Sequence, residues 1–235
     1  MSEDTNDTVQ STTPPQEKKE PGSITLILSL GIAGLLSGIV LASVYLFATP
    51  LIEANKEEAL RKAIFKVLPG CQEYTTLELR DGLLVKVAEK EPGEEKSDEV
   101  VARVFAGFGA DGELIGFAIQ GSEPGFQDII TVLYGYEVAE QMIIGFEVLE
   151  SKETPGLGDK IFKDADFTAS FAALSVTPEI VAVKKGQKSA DNELETITGA
   201  TISSRAIIRL LNNSLAEWKA IMEDYHHNNP TGKAN

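Results

Sequence analysis

Residues 195–204 bring small and hydroxyl-bearing side chains together in a pattern suited to holding a phosphate group. Gly199 and Ala200 have little or no side chain, so the phosphate of a bulky ester can approach the backbone closely. A helix that begins here would turn unpaired backbone N–H groups and the positive end of its dipole toward that phosphate. Further hydroxyl donors are available from Thr198, Ser203 and Ser204. The alternative is ordinary capping, because Ser and Thr before an apolar run are the usual residues of helix starts.

Residues 153–160, Glu-Thr-Pro-Gly-Leu-Gly-Asp-Lys, form a second segment suited to a ligand. Gly156 and Gly158 let the backbone approach a flat molecule, while the side chain of Leu157 packs on its face. The segment is not a phosphate-binding loop, because the Gly-Lys-Ser/Thr ending is missing. As an isolated feature it is also explained as a turn from a strand into a helix.

The first segment leads into a predicted amphipathic helix over residues 203–224. Apolar residues recur there at intervals of three and four, which places them on one helix face. They are Ile207, Leu210, Leu211, Leu215, Trp218 and Met222. We expect this face to pack on a sheet, with Trp218 in the core rather than against a cofactor. His226 and His227 follow in a predicted polar tail, residues 226–235, where adjacent imidazoles are more often solvated than metal-bound.

Two predicted β-hairpins precede both segments. Their strands are residues 99–108 with 114–120 and residues 129–134 with 142–149. Residues 114–119 and 143–148 are similar in sequence, which favours one antiparallel sheet. Residues 86–98, rich in Glu, Lys, Pro and Gly, are predicted to form an exposed loop. The pattern indicates an α+β domain over residues 71–225.

The N-terminal part contains a predicted transmembrane helix. Residues 24–48 carry no charged side chain, and at the helical rise they reach roughly 37 Å against a hydrocarbon core of about 30 Å. A cleaved signal peptide is the alternative, but its apolar core is only about 7–15 residues long and no small-residue cleavage site closes this one. Residues 1–23 are predicted to be a disordered polar tail. Residues 49–70 are predicted to form a juxtamembrane helix that ends at Pro-Gly.

The composition argues against several classes of function. A formal net charge of −15 repels phosphate backbones, so we expect no binding of nucleic acid. Cys71 has no second thiol or nearby His with which to form a disulfide or a metal site, and is expected to be a structural thiol. The sequence holds no nucleophile–base constellation of a hydrolase. We therefore predict neither a catalytic residue nor a metal ligand.

The predicted span and its flanking basic residues bear on a membrane partner and on the side of the membrane where the domain lies. Gly34, Gly38 and Ala42 recur on one helix face, which permits close approach of another membrane helix, although small residues are common in spans. The basic residues near the span are Lys18 and Lys19 before it and Lys56, Arg61, Lys62 and Lys66 after it. Taken literally, this count mildly favours a cytoplasmic domain.

The two ligand-suited segments occur in a distinctive combination. A Glu-Thr-Pro-Gly-Leu-Gly segment precedes a Thr-Gly-Ala-Thr segment, behind one N-terminal span. This arrangement closely resembles the G subunit of the Rnf (Rsx) ion-translocating electron-transport complex. The C subunit of the sodium-translocating NADH:quinone reductase is a relative that shares both motifs. The resemblance runs from the span to the last helix, and it implies a membrane-anchored, α+β FMN-binding domain with an antiparallel sheet and packed helices.

In that family the last Thr of the motif carries FMN through a phosphoester bond, and this position is Thr201 here. The resemblance implies a cofactor site made of Thr154, Gly156, Leu157 and Gly158 near the ring system, and Thr198, Gly199, Ala200 and Ser203 near the phosphate. Two positions depart from the family pattern. Glu195 stands where Asp is common, and Ser151 stands where many members have His.

A Thr hydroxyl is a poor nucleophile without an adjacent base, and no His lies near Thr201 in the sequence. Attachment of FMN is therefore expected to need a separate flavin transferase. The bound flavin would supply the redox chemistry, while the protein supplies position and electrostatics. No independent catalytic activity is expected of the chain.

The resemblance implies an electron-transfer subunit of an ion-translocating ferredoxin:NAD oxidoreductase complex, with other membrane and redox subunits as partners. It places the protein in the cell inner membrane with its soluble domain on the periplasmic, outer face, against the raw count of basic residues. One alternative is the C subunit of the sodium-translocating NADH:quinone reductase. Another is a membrane-anchored binding module without redox function, which absence of bound flavin would favour.

Overall fold

The computed structural model describes residues 22–87 and 102–229. The chain divides into two compact units, Met1–Ala54 and Asn55–Asn235. Most of the predicted N-terminal tail, most of the loop predicted over residues 86–98 and most of the predicted C-terminal tail lie outside the described residues. For those residues the three predictions stay predictions.

One long helix, α1, runs through Ser23–Val67 and crosses the boundary between the units. Within the described ranges it is the one helix long and apolar enough to cross a membrane, with a window of mean hydropathy 2.4. The predicted span and the predicted juxtamembrane helix are both part of α1, and Pro50 lies inside it. The side chains change from apolar to charged near Glu53, but this change marks the end of the apolar segment rather than the end of the helix.

The second unit is built on an antiparallel sheet with the strand order β2-β1-β3-β4-β5-β6-β7. Its strands are β1 Glu73–Arg80, β2 Leu83–Lys86, β3 Arg103–Phe108, β4 Leu114–Pro124, β5 Ile129–Glu137, β6 Met142–Glu150 and β7 Leu174–Ser175. Both predicted hairpins are present, as β3–β4 and β5–β6, and the predicted antiparallel sheet is confirmed. Strands β1, β2 and β7 were not predicted.

Two short helices, α2 Lys160–Lys163 and α3 Ala165–Ala169, lie between β6 and β7 in the chain. After β7 come β8 Val181–Lys184, β9 Glu193–Thr196 and the C-terminal helix α4 Thr201–Asn228. Strands β8 and β9 pair in parallel, separately from the main sheet. The chain enters α4 directly after β9, so this small sheet positions the start of the helix. The α+β class predicted from the sequence is confirmed.

Helix α4 covers one face of the main sheet with the apolar stripe that the sequence predicted. The six predicted face residues are all buried, including Trp218, which is a core residue as expected. They pack in one cluster with sheet side chains such as Phe117, Tyr134 and Tyr136. His226 and His227 lie in the last turns of α4 rather than in a tail, because the helix continues to Asn228. The prediction that they follow the helix was wrong.

The opposite face of the sheet receives the C-terminal end of α1. Gly135 and Gly145 face each other on β5 and β6, and a Cβ built on either would collide with the carbonyl oxygen of Val67. Two glycines thus let helix backbone rest directly on strand backbone. Lys66 Nζ lies 2.6 Å from Glu147 Oε2 on β6, which adds an ion pair at the edge of this contact. The sheet is therefore covered by helix on both faces, and both parts belong to the second unit.

Candidate functional site

Helix α4 begins without a side-chain cap. Its N-cap residue is Ala200, which has no side-chain oxygen to offer the first N–H groups. The Thr201 hydroxyl donates instead to the Ile197 carbonyl at 3.3 Å, and the Ser204 hydroxyl donates to the Ala200 carbonyl at 2.9 Å. The bonds expected of ordinary capping are therefore not made by these hydroxyls. The helix start keeps N–H groups that suit an anionic ligand.

The two ligand-suited segments meet in space. Gly199 has φ +88°, in the left-handed region that favours glycine. A Cβ built on Gly199 would lie 3.6 Å from Leu157 Cδ2 and 3.9 Å from Lys160 Nζ. Thr198 and Gly199 are exposed, and Thr201 is half-buried. The turn before α2 and the turn before α4 therefore form adjoining walls of one site.

Glu153 joins these walls through a buried carboxylate that is only 5% exposed. Its Oε2 accepts a hydrogen bond from the Ser203 hydroxyl at 2.7 Å. Its Oε1 accepts from the backbone N–H groups of Phe126, Gln127 and Asp128 at 2.9, 3.0 and 3.4 Å. Burial raises the pKa of this carboxyl, but the hydrogen bonds from Ser203 and from the backbone of residues 126–128 outweigh that effect and hold the pKa below its usual value.

The hydroxyl of Ser203 has its single proton engaged by Glu153. The Ser204 proton is engaged in the same way by the helix backbone. Of the three hydroxyls expected to face a phosphate, only that of Thr198 is on an exposed residue. Ser203 thus fixes the start of α4 against Glu153 in this arrangement, and Thr198 is the better candidate for a direct donor.

The glycines of the Gly-Leu-Gly turn have different roles. Gly156 has φ +80° and open space where a Cβ would be, and its N–H donates to Asp159 Oδ1 at 2.8 Å. A Cβ built on Gly158 would lie 2.5 Å from Glu153 Oε2 and 2.7 Å from Glu153 Cβ. Glycine at 158 therefore leaves room for the Glu153 side chain, whereas glycine at 156 permits the positive φ of the turn. Thr154 also anchors the turn, through a hydrogen bond to Gln127 Oε1 at 2.7 Å.

A pocket of about 480 Å³ adjoins Thr198, between the α2–α3 segment and the β8–β9 pair. Its volume lies within the range of about 300–1,000 Å³ that is usual for small-molecule sites. The charged residues of its lining are Lys160, Lys163, Lys185, Lys188, Asp164, Asp166 and Glu195. These lysines offset the carboxylates around them, so an anion is less strongly repelled here than by a chain of net charge −15 as a whole. Sequence reasoning missed this pocket, because its lysines come from separate segments.

Glu195 belongs to the scaffold of that pocket. Its Oε1 accepts from the backbone N–H of Gly186 at 2.8 Å and of Lys188 at 3.4 Å. The longer side chain at this position therefore closes the turn between β8 and β9. Ser151, the other departure from the family pattern, accepts a hydrogen bond from the Glu153 N–H at 3.3 Å.

Large apolar side chains are exposed around the same site. Phe126 is 67% exposed, Leu157 is 51% exposed and Ile202 is 52% exposed. The backbone of Phe126 and the hydroxyl of Ser203, which follows Ile202, both donate to Glu153. Leu157 lies beside Gly199. Exposed apolar side chains on three converging segments are a feature of ligand sites, since an apolar face gains most by being covered. Together with the uncapped helix start, they suit a flat ligand that carries a phosphate.

Comparison with known proteins shows that the chain contains an FMN-binding domain. The family described as FMN-binding domain matches residues 125–216, which include both walls of the site. The fold is similar to the crystal structure of Shewanella oneidensis NqrC, with a TM-score of 0.58 and 17% identity over 74% of this chain and 99% of that one. It is also similar to the C subunit of the Na(+)-translocating NADH-quinone reductase from Parabacteroides distasonis, with a TM-score of 0.55 and 20% identity over 72% and 94% of the two chains.

The particular family follows from sequence relatives. The chain is 33% identical to the G subunit of the Na(+)-translocating ferredoxin:NAD(+) oxidoreductase complex of Acetobacterium woodii, over 64% of this chain and 69% of that protein. It is 24% identical to the G subunit of the ion-translocating oxidoreductase complex of Methanosarcina acetivorans, over 81% of this chain and 91% of that protein. The chain belongs to the G-subunit family of ion-translocating oxidoreductase complexes. The family that the sequence resembles is thus confirmed.

Stability measurements can test whether Gly158 makes room for the side chain of Glu153. Gly158→Ala is expected to lower the free energy of unfolding by about 1–3 kcal/mol, because the added methyl overlaps the Glu153 carboxylate. In a Glu153→Gly background the same substitution should cost much less, since the carboxylate oxygen at 2.5 Å and the Cβ at 2.7 Å are both gone. Gly156→Ala, which faces open space, should cost about 1–2 kcal/mol in either background for its positive φ alone. Chemical denaturation of the variants and wild type measures the coupling, and additive losses at Gly158 would contradict it.

Proposed function

We propose that this protein is an electron-transfer subunit that carries FMN, esterified through its phosphate to the hydroxyl of Thr201. The observation that carries the proposal is the uncapped start of α4 beside the Gly-Leu-Gly turn. An anion at Thr201 would meet the N–H groups of the helix start and a favourable dipole. The match to the FMN-binding domain, and membership of the G-subunit family, support the same cofactor.

The residues of the site fit the parts of FMN. The backbone of Gly199 and Ala200 and the hydroxyl of Thr198 are suited to the neighbourhood of the phosphate. Leu157 and the exposed apolar side chains beside it are suited to the faces of the ring system, with Thr154, Gly156 and Gly158 shaping the turn that holds them. FMN supplies the electron-carrying chemistry when bound, and the chain supplies its position and surroundings.

Attachment needs help from outside the chain. In the described residues the two imidazoles, His226 and His227, lie at the opposite end of α4 from Thr201. At the helical rise of about 1.5 Å per residue, the separation along the axis is roughly 37 Å, too far for a general base to take the hydroxyl proton. We therefore expect a flavin transferase to activate Thr201 and to supply FMN from a donor whose phosphate carries a leaving group. The bond from phosphorus to that group would break as the bond to the Thr201 oxygen forms, and the hydroxyl proton would pass to a base of the transferase. The half-buried hydroxyl must become accessible to that enzyme.

We propose that the partners are the other membrane and redox subunits of an ion-translocating oxidoreductase complex. The names of the relatives, which are G subunits of such complexes, support this. When bound, FMN would supply the group that carries electrons between these subunits. The direct test is the full chain made together with an active flavin transferase. Flavin fluorescence that stays with the protein band in a denaturing gel supports the proposal. A colourless chain would favour a binding module without redox function.

The proposed topology places the domain outside the cytoplasm, whereas the count of basic residues around the span favours a cytoplasmic domain. The residues after the span are proposed to lie on the outer, periplasmic face of the inner membrane. We expect Glu140→Cys, in the exposed turn between β5 and β6, to react with a membrane-impermeant maleimide in cells whose outer barrier has been opened. A Cys71→Ser background removes the native thiol, whose pKa is raised by burial. Ser11→Cys, before the span, is the matched control. Labelling at position 11 and protection at position 140 would place the domain in the cytoplasm.

A further inference from the structure

The buried carboxylate of Glu153 lies where three separate segments of the site meet. We propose that Glu153 is the positioning residue that holds the apolar walls of the site around the flavin ring, an inference that rests on the proposed attachment of FMN at Thr201. Its role is distinct from binding the cofactor directly, because both of its oxygens are already engaged by protein donors. Glu153 acts through those donors.

Burial of the Glu153 charge is costly, and the surrounding chain offsets that cost. A carboxylate that is 5% exposed is unfavourable unless hydrogen bonds replace its lost water. Glu153 accepts four such bonds, three from the backbone of residues 126–128 and one from Ser203. Gly125 and Gly158 both lack the Cβ that would collide with it. The neighbouring segments are therefore shaped to the carboxylate.

The donors to Glu153 belong to the segments that carry the apolar walls. The loop over residues 126–128 presents the exposed ring of Phe126, and the first turn of α4 presents Ile202 next to Ser203. Gly158, which touches Glu153, follows Leu157 directly. The three exposed apolar side chains of the site thus stand on backbone that one carboxylate ties together. If that carboxylate is removed, the loop and the turn stay linked through Thr154 and Gln127, but the first turn of α4 loses its side-chain bond to them. The walls around the ring are then less firmly fixed relative to one another.

Glu153 could instead stabilise the fold without restraining the flavin ring. In that case the loss of Glu153 would change stability but leave the ring as ordered as before. The two possibilities are separated by a property of the bound flavin, namely its rotational freedom on the ester. Fluorescence anisotropy decay and visible circular dichroism of covalently attached flavin report that freedom directly, per flavin and independently of how much chain is flavinylated.

The experiment uses the full chain made with an active flavin transferase and three variants. Ser203→Ala cuts the bond from Glu153 to α4 and leaves the loop bonds in place. Glu153→Ala removes all four bonds. Glu153→Gln keeps the size and the acceptor oxygen, and its amide can donate to Ser203. The matched control is Glu78→Ala, which removes a similarly buried carboxylate on β1 whose partners are Arg80 and Arg103.

Ser203→Ala and Glu153→Ala are expected to shift the anisotropy decay toward that of a freely rotating ring and to weaken the visible circular dichroism. Glu153→Gln should restore most of both signals, and Glu78→Ala should leave both unchanged. Wild-type signals in Ser203→Ala would overturn the inference, even if Glu153→Ala fails to fold. Loss of both signals in Glu78→Ala would overturn it as well, since general loosening would then explain the effect. Absence of covalent flavin from the wild-type chain would remove the proposed function itself and this inference with it.

Discussion

Thr201→Ala is expected to abolish covalent flavin in chain made together with an active flavin transferase. The wild-type protein should fluoresce in a denaturing gel and gain the mass of FMN less one water, and the variant should do neither. The reason is that the Thr201 hydroxyl oxygen is the atom proposed to form the phosphoester bond. Intact-protein mass spectrometry measures the difference as all or none.

The variant should still fold, so that the result reports on chemistry. Thr201 lies in the first turn of α4, and its hydroxyl makes one long bond to the Ile197 carbonyl at 3.3 Å. Loss of an ordinary hydrogen bond costs about 0.5–1.5 kcal/mol, and alanine is a favourable residue in a helix. No capping bond is lost in this variant, because the N-cap residue is Ala200.

Thr198→Ala is the matched control for this experiment. It removes a neighbouring hydroxyl from the same motif on an exposed residue and leaves the proposed ester oxygen in place. We expect it to remain flavinylated, with the phosphate held by fewer donors. Covalent flavin that persists in Thr201→Ala, or that is lost only in Thr198→Ala, would contradict the assignment of the ester to Thr201.

Gly135→Ala is expected to destabilise the fold more than Gly158→Ala or Gly156→Ala in the site. The new Cβ would collide with the carbonyl oxygen of Val67, at the place where the end of α1 rests on the sheet. A side chain can rotate away from such a collision, but helix backbone cannot do so without moving the helix. Overpacking in a core costs about 1–3 kcal/mol, and we expect a loss at or above the upper end of that range.

Denaturant unfolding of the second unit in the purified full chain measures this loss. Gly186→Ala is the control, because its Cβ would face open space and its only cost is a φ of +80°, about 1–2 kcal/mol. Gly145→Ala should resemble Gly135→Ala, since it meets the same carbonyl from the neighbouring strand. If both sheet variants are no less stable than Gly186→Ala, the backbones of helix and sheet are not in direct contact.

Elements with a strong local pattern were predictable from the sequence. The apolar residues of α4 recur with helical period, so the helix, its buried face and the core position of Trp218 followed from spacing alone. The hairpins β3–β4 and β5–β6 were also found, because each has apolar strands joined by a short turn. These elements are encoded within short stretches of chain.

Elements without such a pattern were missed. Strand β1 shows no clean alternation of buried and exposed residues, so no period of two marks it. Strands β8 and β9 are short and pair in parallel across a turn, which propensity does not reveal. The joining of the span and the juxtamembrane segment into α1 was missed because charge changes along a helix without ending it.

For the site, the residue types of the two segments were enough to indicate a phosphate at a helix start and a flat ligand beside it. Residue types could not show that Gly158 makes room for Glu153, or that Ser203 donates to that carboxylate rather than facing the ligand. Glu153 and Ser203 are fifty residues apart, and only the packing of α4 on the sheet brings them to 2.7 Å. Residue types alone thus show which chemical groups are available. The packing of the chain shows which of them engage each other and which face the candidate site, because a hydroxyl donates, and a carboxylate accepts, according to its neighbours in space.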